Sequence, residues 1–351
     1  MNRAPSVIQG RKIKFGVVGC GRISANHFAS LKKHSDRAEL VAVCDIDRAA
    51  LDAAVLQTGA RGFSSLDVML KEADLDVVSV CTPSGLHPEH SIQIARSGRH
   101  VVSEKPMSTN LEDAREMIRV CEQEGRRLFV VKQNRRNATL QLLKKAVDEG
   151  RFGKIYLVNV NVLWSRPDSY FEQAPWRGTW KMDGGIFFNQ ASHYVDLLHW
   201  LIGPVEKIHA YYQTFERKIE TEDTGVVNLK WKSGTLGTMM ATVLTYPKNL
   251  EGSITILGEK GTARIGGVAV NEIQVWDFAD RRPEDASVKE ASYETTSVYG
   301  FGHPLYYDNV IRVLRGEAEP ETDGREGLRT MELLVGIQMS ARTGEEILLN
   351  Q

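Results

Sequence analysis

The stretch Lys14-Phe15-Gly16-Val17-Val18-Gly19-Cys20-Gly21-Arg22-Ile23-Ser24 decides the fold. An apolar run ends in two glycines spaced by one residue, and a helical pattern follows. The spacing is that of a G-x-G-x-x-G/A turn, with Ser24 in the third small position. Gly19 permits the tight turn. Gly21 lets the backbone approach a pyrophosphate seated on the helix N-terminus, and Ser24 is small enough for close helix–strand packing. A second apolar run, 40–44, ends in Asp45, 21 residues after Ser24. A carboxylate there accepts hydrogen bonds from ribose hydroxyls and repels a 2′-phosphate, so the pattern predicts NAD rather than NADP. Arg48, close by, softens that preference.

Outward from this turn, further valine-rich runs stand at 77–81, 101–103 and 128–131. Continuous apolar runs of this length fit buried parallel strands. Between them lie helical patterns with readable ends. One covers 87–97 and stops at Gly98; another starts at Thr109 or Asn110 and stops at Gly125. Strand–helix alternation over 1–131 predicts a doubly wound α/β domain that binds a dinucleotide.

The pattern changes after residue 150. Strand-like segments appear at 155–163, 205–215, 225–231, 236–246, 253–257 and 273–278, with hairpin joints at 232–235 and 258–261. Strands without intervening helices predict a large, mostly antiparallel sheet within 132–351, a second α/β domain for substrate binding and oligomerisation. Two helices close the chain at 304–314 and 325–343, the polar stretch 278–299 reads as an irregular loop, and Tyr306 and Tyr307 read as core.

Composition narrows the function. With 44 basic and 45 acidic residues, the net charge of −1 lacks the basic excess of a nucleic-acid binder. No apolar run reaches the roughly 18 residues of a membrane span, and the first six residues lack the apolar stretch of a secretory signal. Cys20, Cys44, Cys81 and Cys121 show no Cys-x-x-Cys spacing. They suit reduced thiols in a cytoplasm, with neither a disulfide frame nor a metal site expected.

Local chemistry is more telling. Thr82-Pro83-Ser84-Gly85-Leu86-His87 follows the fourth strand, where a doubly wound sheet presents its ligand crevice. Ser84 and backbone amides are placed to line the nicotinamide side, and His87 reads as a helix N-terminal residue. Strand five runs into Glu104-Lys105-Pro106. Lys105 can donate to a substrate hydroxyl or, with a lowered pKa, act as a base. Gly184-Gly185 open a helix on which Asn189, His193 and Asp196 fall at i, i+4 and i+7, one polar face. Lys132, Arg135 and Arg136 crowd the end of the sixth strand, and Arg166 and Arg177 flank a loop holding Trp176 and Trp180. Arginine forks suit phosphate and carboxylate, so an anionic substrate is expected. Asn134, Asn137, Asn189 and Asn249 can read sugar hydroxyls and an acetamido group.

Gly19-Cys20-Gly21, Glu104-Lys105-Pro106 and the helix with Gly184, His193 and Asp196 together resemble the Gfo/Idh/MocA family of sugar oxidoreductases, over essentially the whole chain. The resemblance implies a Rossmann domain followed by an open-faced sheet that forms an oligomer interface, with a tetramer expected. It maps the family lysine onto Lys105 and the catalytic histidine onto His193. Many members carry aspartate where Asn189 stands, so the division of labour between Lys105 and His193 stays open. The stretches 131–137, 189–194 and 245–253 look like the WlbA/WbpB branch, UDP-N-acetyl-2-amino-2-deoxy-D-glucuronate 3-dehydrogenases of bacterial lipopolysaccharide and O-antigen synthesis. That branch implies a UDP-linked N-acetylated uronic acid as substrate and NAD as cofactor. In some relatives 2-oxoglutarate reoxidises the cofactor in place, and both modes stay open here. The implied cofactor contacts are Gly19, Gly21, Arg22, Ile23, Asp45, Thr82, Pro83, Ser84, His87, Glu104, Lys105, Gln133, Trp176 and Arg177. The implied substrate contacts are Lys105, Lys132, Asn134, Arg135, Arg136, Arg166, Asn189, His193 and Asn249. Two other readings compete: a dehydrogenase of a free sugar or inositol, which needs no arginine cluster, and a non-catalytic NAD-binding regulator, which could dispense with Lys105 or His193.

Overall fold

The computed structural model describes residues 7–295, 298 and 300–349. The first six residues, and Thr296, Ser297 and Tyr299 at the end of the expected 278–299 loop, lie outside that range. The chain divides into two units: Met1–Lys132 with His303–Met331, and Gln133–Gly302 with Glu332–Gln351.

In the first unit, six parallel strands form one sheet: β1 (Ile13–Val18), β2 (Ala38–Cys44), β3 (Arg61–Phe63), β4 (Val77–Val80), β5 (His100–Ser103) and β6 (Leu128–Val130). The order is β3-β2-β1-β4-β5-β6. Helices α1 (Ser24–Lys33), α2 (Arg48–Thr58), α3 (Leu66–Glu72), α4 (His87–Arg96) and α5 (Leu111–Gln123) connect the strands. The α5 start is set as expected, since Asn110 caps it by accepting from the Asp113 N–H at 2.9 Å. The order reverses between β1 and β4, so their carboxyl ends open a crevice. There Gly19 takes φ +90°, and a Cβ on it would lie 2.6 Å from the Cys81 carbonyl and 2.7 Å from the Thr82 nitrogen. The protein's own backbone therefore demands glycine at position 19.

The core of this unit holds Phe15, Val17, Phe28, Leu31 and Phe129. Tyr307, Val310, Ile311 and Leu314 complete it, from a helix α10 (His303–Leu314) that sequence reading assigned to the second domain. These four stand at i, i+3, i+4 and i+7, one apolar stripe that must find cover. It finds it here, with α10 packed beside α1. Three-residue strands such as β3 carry too little pattern to be read from sequence.

In the second unit an eight-stranded sheet runs β13-β12-β11-β7-β10-β9-β8-β14. Its strands are β7 (Ile155–Leu163), β8 (Val205–Gln213), β9 (Thr224–Trp231), β10 (Leu236–Thr242), β11 (Glu251–Gly258), β12 (Gly261–Gly266), β13 (Glu272–Phe278) and β14 (Ile347–Leu348). All pairings are antiparallel except β7 with β10. The expected hairpins at 232–235 and 258–261 join β9 to β10 and β11 to β12. The expected strand 236–246 stops at Thr242, and the 278–299 loop contains a 3-10 stretch, Pro283–Ala291. Arg151 pins that stretch with forked bonds to Asp280 and Asp285.

Helices α6 (Ala138–Asp148), α7 (Asp168–Glu172), α8 (Ile186–Asn189) and α9 (Ser192–Ile202) belong to this unit, and α11 (Gly324–Thr343) spans the division at Met331. Along β10, Gly237, Met239 and Ala241 are buried while Leu236, Thr238 and Met240 are exposed. On that exposed face Tyr211, Val226 and Met240 are direct cross-strand partners. Among the described residues no helix is long and apolar enough to cross a membrane.

Candidate active site

In the first unit the fingerprint turn is braced by the acid at the end of β2. Asp45 Oδ2 accepts the Cys20 N–H at 2.6 Å, and Oδ1 accepts the Asp47 N–H at 2.8 Å. A carboxylate has about four lone-pair positions, so both oxygens keep capacity for ribose hydroxyls. Ser24 Oγ donates to the Gly21 carbonyl at 2.7 Å and opens α1. A Cβ built on Gly21 meets no protein atom within 4 Å, so nothing in the protein itself requires glycine there. Arg22 is exposed and Ile23 packs against the core. Arg48 is turned along its helix to Asp52, at 2.9 Å. These features fit a dinucleotide with unphosphorylated ribose.

After β4, Thr82 and Pro83 are half-buried and Ser84 is buried. His87 is buried with Nδ1 2.7 Å from the Pro106 carbonyl and Nε2 2.8 Å from the Thr82 carbonyl. Its ring is thereby committed to backbone, which corrects the expectation that His87 itself reaches the cofactor. What it does is tie the two crevice loops together.

Glu104 is only 4% exposed. Its Oε1 accepts from His27 Nε2 at 2.9 Å, and its Oε2 accepts the Lys105 N–H at 3.0 Å. His303 Nε2 stands 3.6 Å from Oε1. Burial alone would raise this carboxyl, but the two imidazoles hold it well below the usual carboxylate range. His27 Nδ1 meets the Tyr307 hydroxyl at 2.6 Å, which meets Ser79 Oγ at 2.7 Å. The expected role of Glu104 as a cofactor contact is corrected to this extent: its oxygens are engaged by protein. Sequence reading missed His27, His303 and Ser79, and took Tyr307 as core alone. Only His27, three residues past Ser24 on the fingerprint helix, stood near a recognised motif. His27, Glu104 and His303 also place donor atoms within 4.8 Å of one another. The His27–Glu104 contact has hydrogen-bond length. Lys105 is half-buried, and Lys132 is buried with Nζ donating to Thr330 at 2.6 Å.

In the second unit the expected helix from Gly184 to Asp196 is broken. One turn, α8, ends at Asn189, and α9 restarts at Ser192. Gly184 and Gly185 take φ +82° and +103°, and a Cβ on Gly185 would lie 2.3 Å from the Glu222 carboxylate. Glu222 is buried and accepts the Phe187 N–H at 3.1 Å, so it caps the first turn. Burial, with Asp183 nearby, pushes this carboxyl up to about 8. Asp183 holds the Gly178 N–H at 2.8 Å and receives the Asn189 side-chain amide. Asn189 thus has its orientation set by a carboxylate six residues upstream. Neither Asp183 nor Glu222 was expected.

His193 is 7% exposed, and its Nε2 lies 2.9 Å from Gln133 Nε2. The amide nitrogen is a donor, so Gln133 holds the ring edge that carries Nε2. Gln133, expected at the cofactor, is found holding the histidine. Arg135, expected at the substrate, is buried and forks onto Asp196 with two 2.7 Å bonds, its guanidinium over the Trp200 ring. A buried guanidinium requires a counter-charge, and Asp196, three residues past His193, supplies it. Asp196 is thereby engaged by Arg135, and the break between α8 and α9 separates it from the turn that carries Asn189. Asn134 is buried with its side-chain oxygen unpaired in the structure, and Arg136 is half-buried beside it.

The loop after β7 gathers the remaining candidates. Asn249 Oδ1 accepts from the Ser165 N–H at 2.9 Å and from Arg166 at 3.0 Å. Arg166 lies over Trp164 and Tyr170, while Arg177 lies over Tyr170 and Trp176. Two cations on one tyrosine form a rigid basic stack, and Tyr170 is the member that sequence reading overlooked.

A parallel sheet with a fingerprint turn and a lysine at its carboxyl edge defines a dinucleotide-dependent oxidoreductase. The family models concur: the oxidoreductase family NAD-binding Rossmann fold matches residues 13–132, and the oxidoreductase family C-terminal alpha/beta domain matches 144–349. The chain belongs to the Gfo/Idh/MocA oxidoreductase family. It is 62% identical to the WlbA dehydrogenase of Chromobacterium violaceum, crystallised with NADH and UDP-GlcNAcA, at a TM-score of 0.94 over 98% of each chain. It is also 62% identical to the WlbA dehydrogenase of Bordetella pertussis, crystallised with the same two molecules, at a TM-score of 0.95 over 98% of this chain and 99% of that one. A D-apiose dehydrogenase of Paraburkholderia graminis is 26% identical, covering 96% of this chain and 90% of its own length.

The Arg135–Asp196 pair yields a stability test. Asp196→Asn should lose about 3 kcal/mol of unfolding free energy by leaving a buried cation unpaired. The double variant Arg135→Met/Asp196→Leu should recover most of that loss in urea denaturation. A single variant as stable as the parent would remove Asp196 as the counter-charge.

Proposed function

We propose that this chain oxidises the C3 hydroxyl of UDP-N-acetyl-2-amino-2-deoxy-D-glucuronic acid to the 3-keto sugar with NAD, a step in bacterial lipopolysaccharide and O-antigen sugar synthesis. The observation that carries the reading is the 62% identity, over 98% of this chain, to two dehydrogenases crystallised with NADH and UDP-GlcNAcA. The backbone of 19–23, Asp45 and the 82–84 loop would hold the cofactor. NAD, when bound, supplies the hydride acceptor. Lys105 and His193 hydrogen-bond the reacting hydroxyl and remove its proton. Gln133 bonds His193 Nε2 in the structure, and that bond would give way to the substrate hydroxyl when the imidazole acts as base. Asn189, oriented by Asp183, reads the sugar ring or its acetamido group. Lys132, Arg136, the Arg166–Asn249 pair and Asn134 bind the anionic and polar parts of the nucleotide sugar. Whether 2-oxoglutarate reoxidises the cofactor in place is answered by the same assay.

The reading also covers assembly and place. The row Tyr211–Val226–Met240 is an apolar sheet face that subunits of a homotetramer would cover. Free thiols at all four cysteines agree with a cytoplasmic enzyme.

Four outcomes test this reading. NADH fluorescence should rise when the enzyme meets NAD and UDP-GlcNAcA, or ketone product should accumulate with 2-oxoglutarate present. Lys105→Met and His193→Asn should each abolish turnover with NAD still bound, and a fully active variant would exclude that residue from the chemistry. Asp45→Ala should weaken NAD binding by about tenfold or more, because a charged hydrogen bond is lost, and should weaken NADP binding less. An unchanged NAD-to-NADP ratio by calorimetry would count against the ribose contact. Light scattering should give four times the chain mass, and a monomeric mass would refute the covered sheet face.

A further inference from the structure

We propose that His27 and His303 are positioning residues for Lys105. They keep the Glu104 carboxylate ionised and in place, and Glu104 anchors the Lys105 main chain. The proposal rests on the role given to Lys105 above.

Ser79 Oγ, the Tyr307 hydroxyl, both His27 ring nitrogens and Glu104 Oε1 form one continuous hydrogen-bonded chain, with steps of 2.7, 2.6 and 2.9 Å. A proton on His27 Nε2 needs an acceptor at Oε1, which an ionised Glu104 supplies. The other carboxylate oxygen receives the Lys105 N–H. One buried chain therefore links the fingerprint helix α1, strand β4, the α10 helix and the residue before the lysine. The helix that follows the glycine turn and the lysine main chain are bonded to the same carboxylate.

His303 closes the cluster from α10, with its ring edge-on to His27 at 5.7 Å. Burial lowers its pKa, and the nearby Lys105 ammonium adds to this, despite the pull of Glu104. The Lys105 ammonium is thus within electrostatic reach of the cluster. The other titratable groups facing Glu104 are Cys81 beyond β4, Tyr306 and Tyr307 on α10, and His87 on α4. Burial raises the thiol and both phenols, which keeps them neutral, and burial lowers His87. Glu104 carries the negative charge of the cluster. Its loss on acidification would release Lys105 from its anchor.

The test uses the whole enzyme with NAD and the nucleotide sugar. His27→Leu removes the donor to Glu104. It should lower kcat about tenfold, the scale of a misplaced acid–base group, with KM for the sugar unchanged. It should also shift the acid limb of kcat to higher pH, because an unsupported carboxyl protonates more easily. His27→Gln, whose amide can donate to the same oxygen, should restore most of the kcat. His303→Gln leaves His27 in place and should move the acid limb in the same direction, which gives a reading even if His27→Leu does not fold. Folded His27→Leu and His303→Gln variants with parental kcat and acid limb would overturn the proposal. So would a kcat loss that His27→Gln does not rescue and that leaves the acid limb where it was, since packing alone would explain it. Activity in Lys105→Met is a separate result that overturns the assignment of the lysine itself.

Discussion

A carboxylate 4% exposed at the end of a buried strand must be balanced, because an unpaired charge in a protein interior costs several kcal/mol. Glu104 is balanced by groups drawn from distant points of the chain: His27 from the first helix after the glycine turn, His303 from a helix near the C-terminus. Tyr307 and Ser79 extend that balance into the core. This requirement explains why the His303–Met331 segment belongs to the nucleotide-binding unit. The segment contributes apolar cover through Val310, Ile311 and Leu314, and it also contributes polar partners that no residue of the first 132 provides.

The second unit obeys the same rule with different means. Arg135 and Asp196 neutralise each other beneath Trp200. Asp183 receives the Asn189 amide and the Gly178 N–H, and Glu222 sits at the start of the turn that presents Asn189. The glycine pair at 184–185 exists because a side chain there would strike Phe188 or the Glu222 carboxylate. An asparagine in place of an aspartate beside His193 does not leave the site without a nearby acid. Asp183 stands behind it, and Gln133 rather than a carboxylate bonds His193 Nε2.

Much of the fold was legible because its signals are local. A valine run closed by Gly19 and Gly21, and a carboxylate 21 residues after Ser24, state a mononucleotide-binding half directly. Alternating burial in β10 and the turns at Gly234 and Gly258 likewise follow from short-range pattern. Less legible were β3 and β14, too short to carry a period, and the break between α8 and α9, which no helix-stopping residue announces. Among site residues, the motifs gave positions but not the partners that the folded chain brings to them. The charge of Arg135 says nothing about which acid lies within 3 Å, and Asp196 is found there.

What the sequence by itself determined is the class of chemistry: a fingerprint turn, with Asp45 as the candidate acid for ribose and Lys105 and His193 as the candidate proton-handling groups. Each of those rests on residues close in the chain, where spacing fixes geometry. Only the tertiary structure decided which charges are spent on the protein. Glu104 with His27 and His303, Arg135 with Asp196, and Asn189 with Asp183 are chosen by burial, since each polar group must find a partner wherever the folded chain brings one.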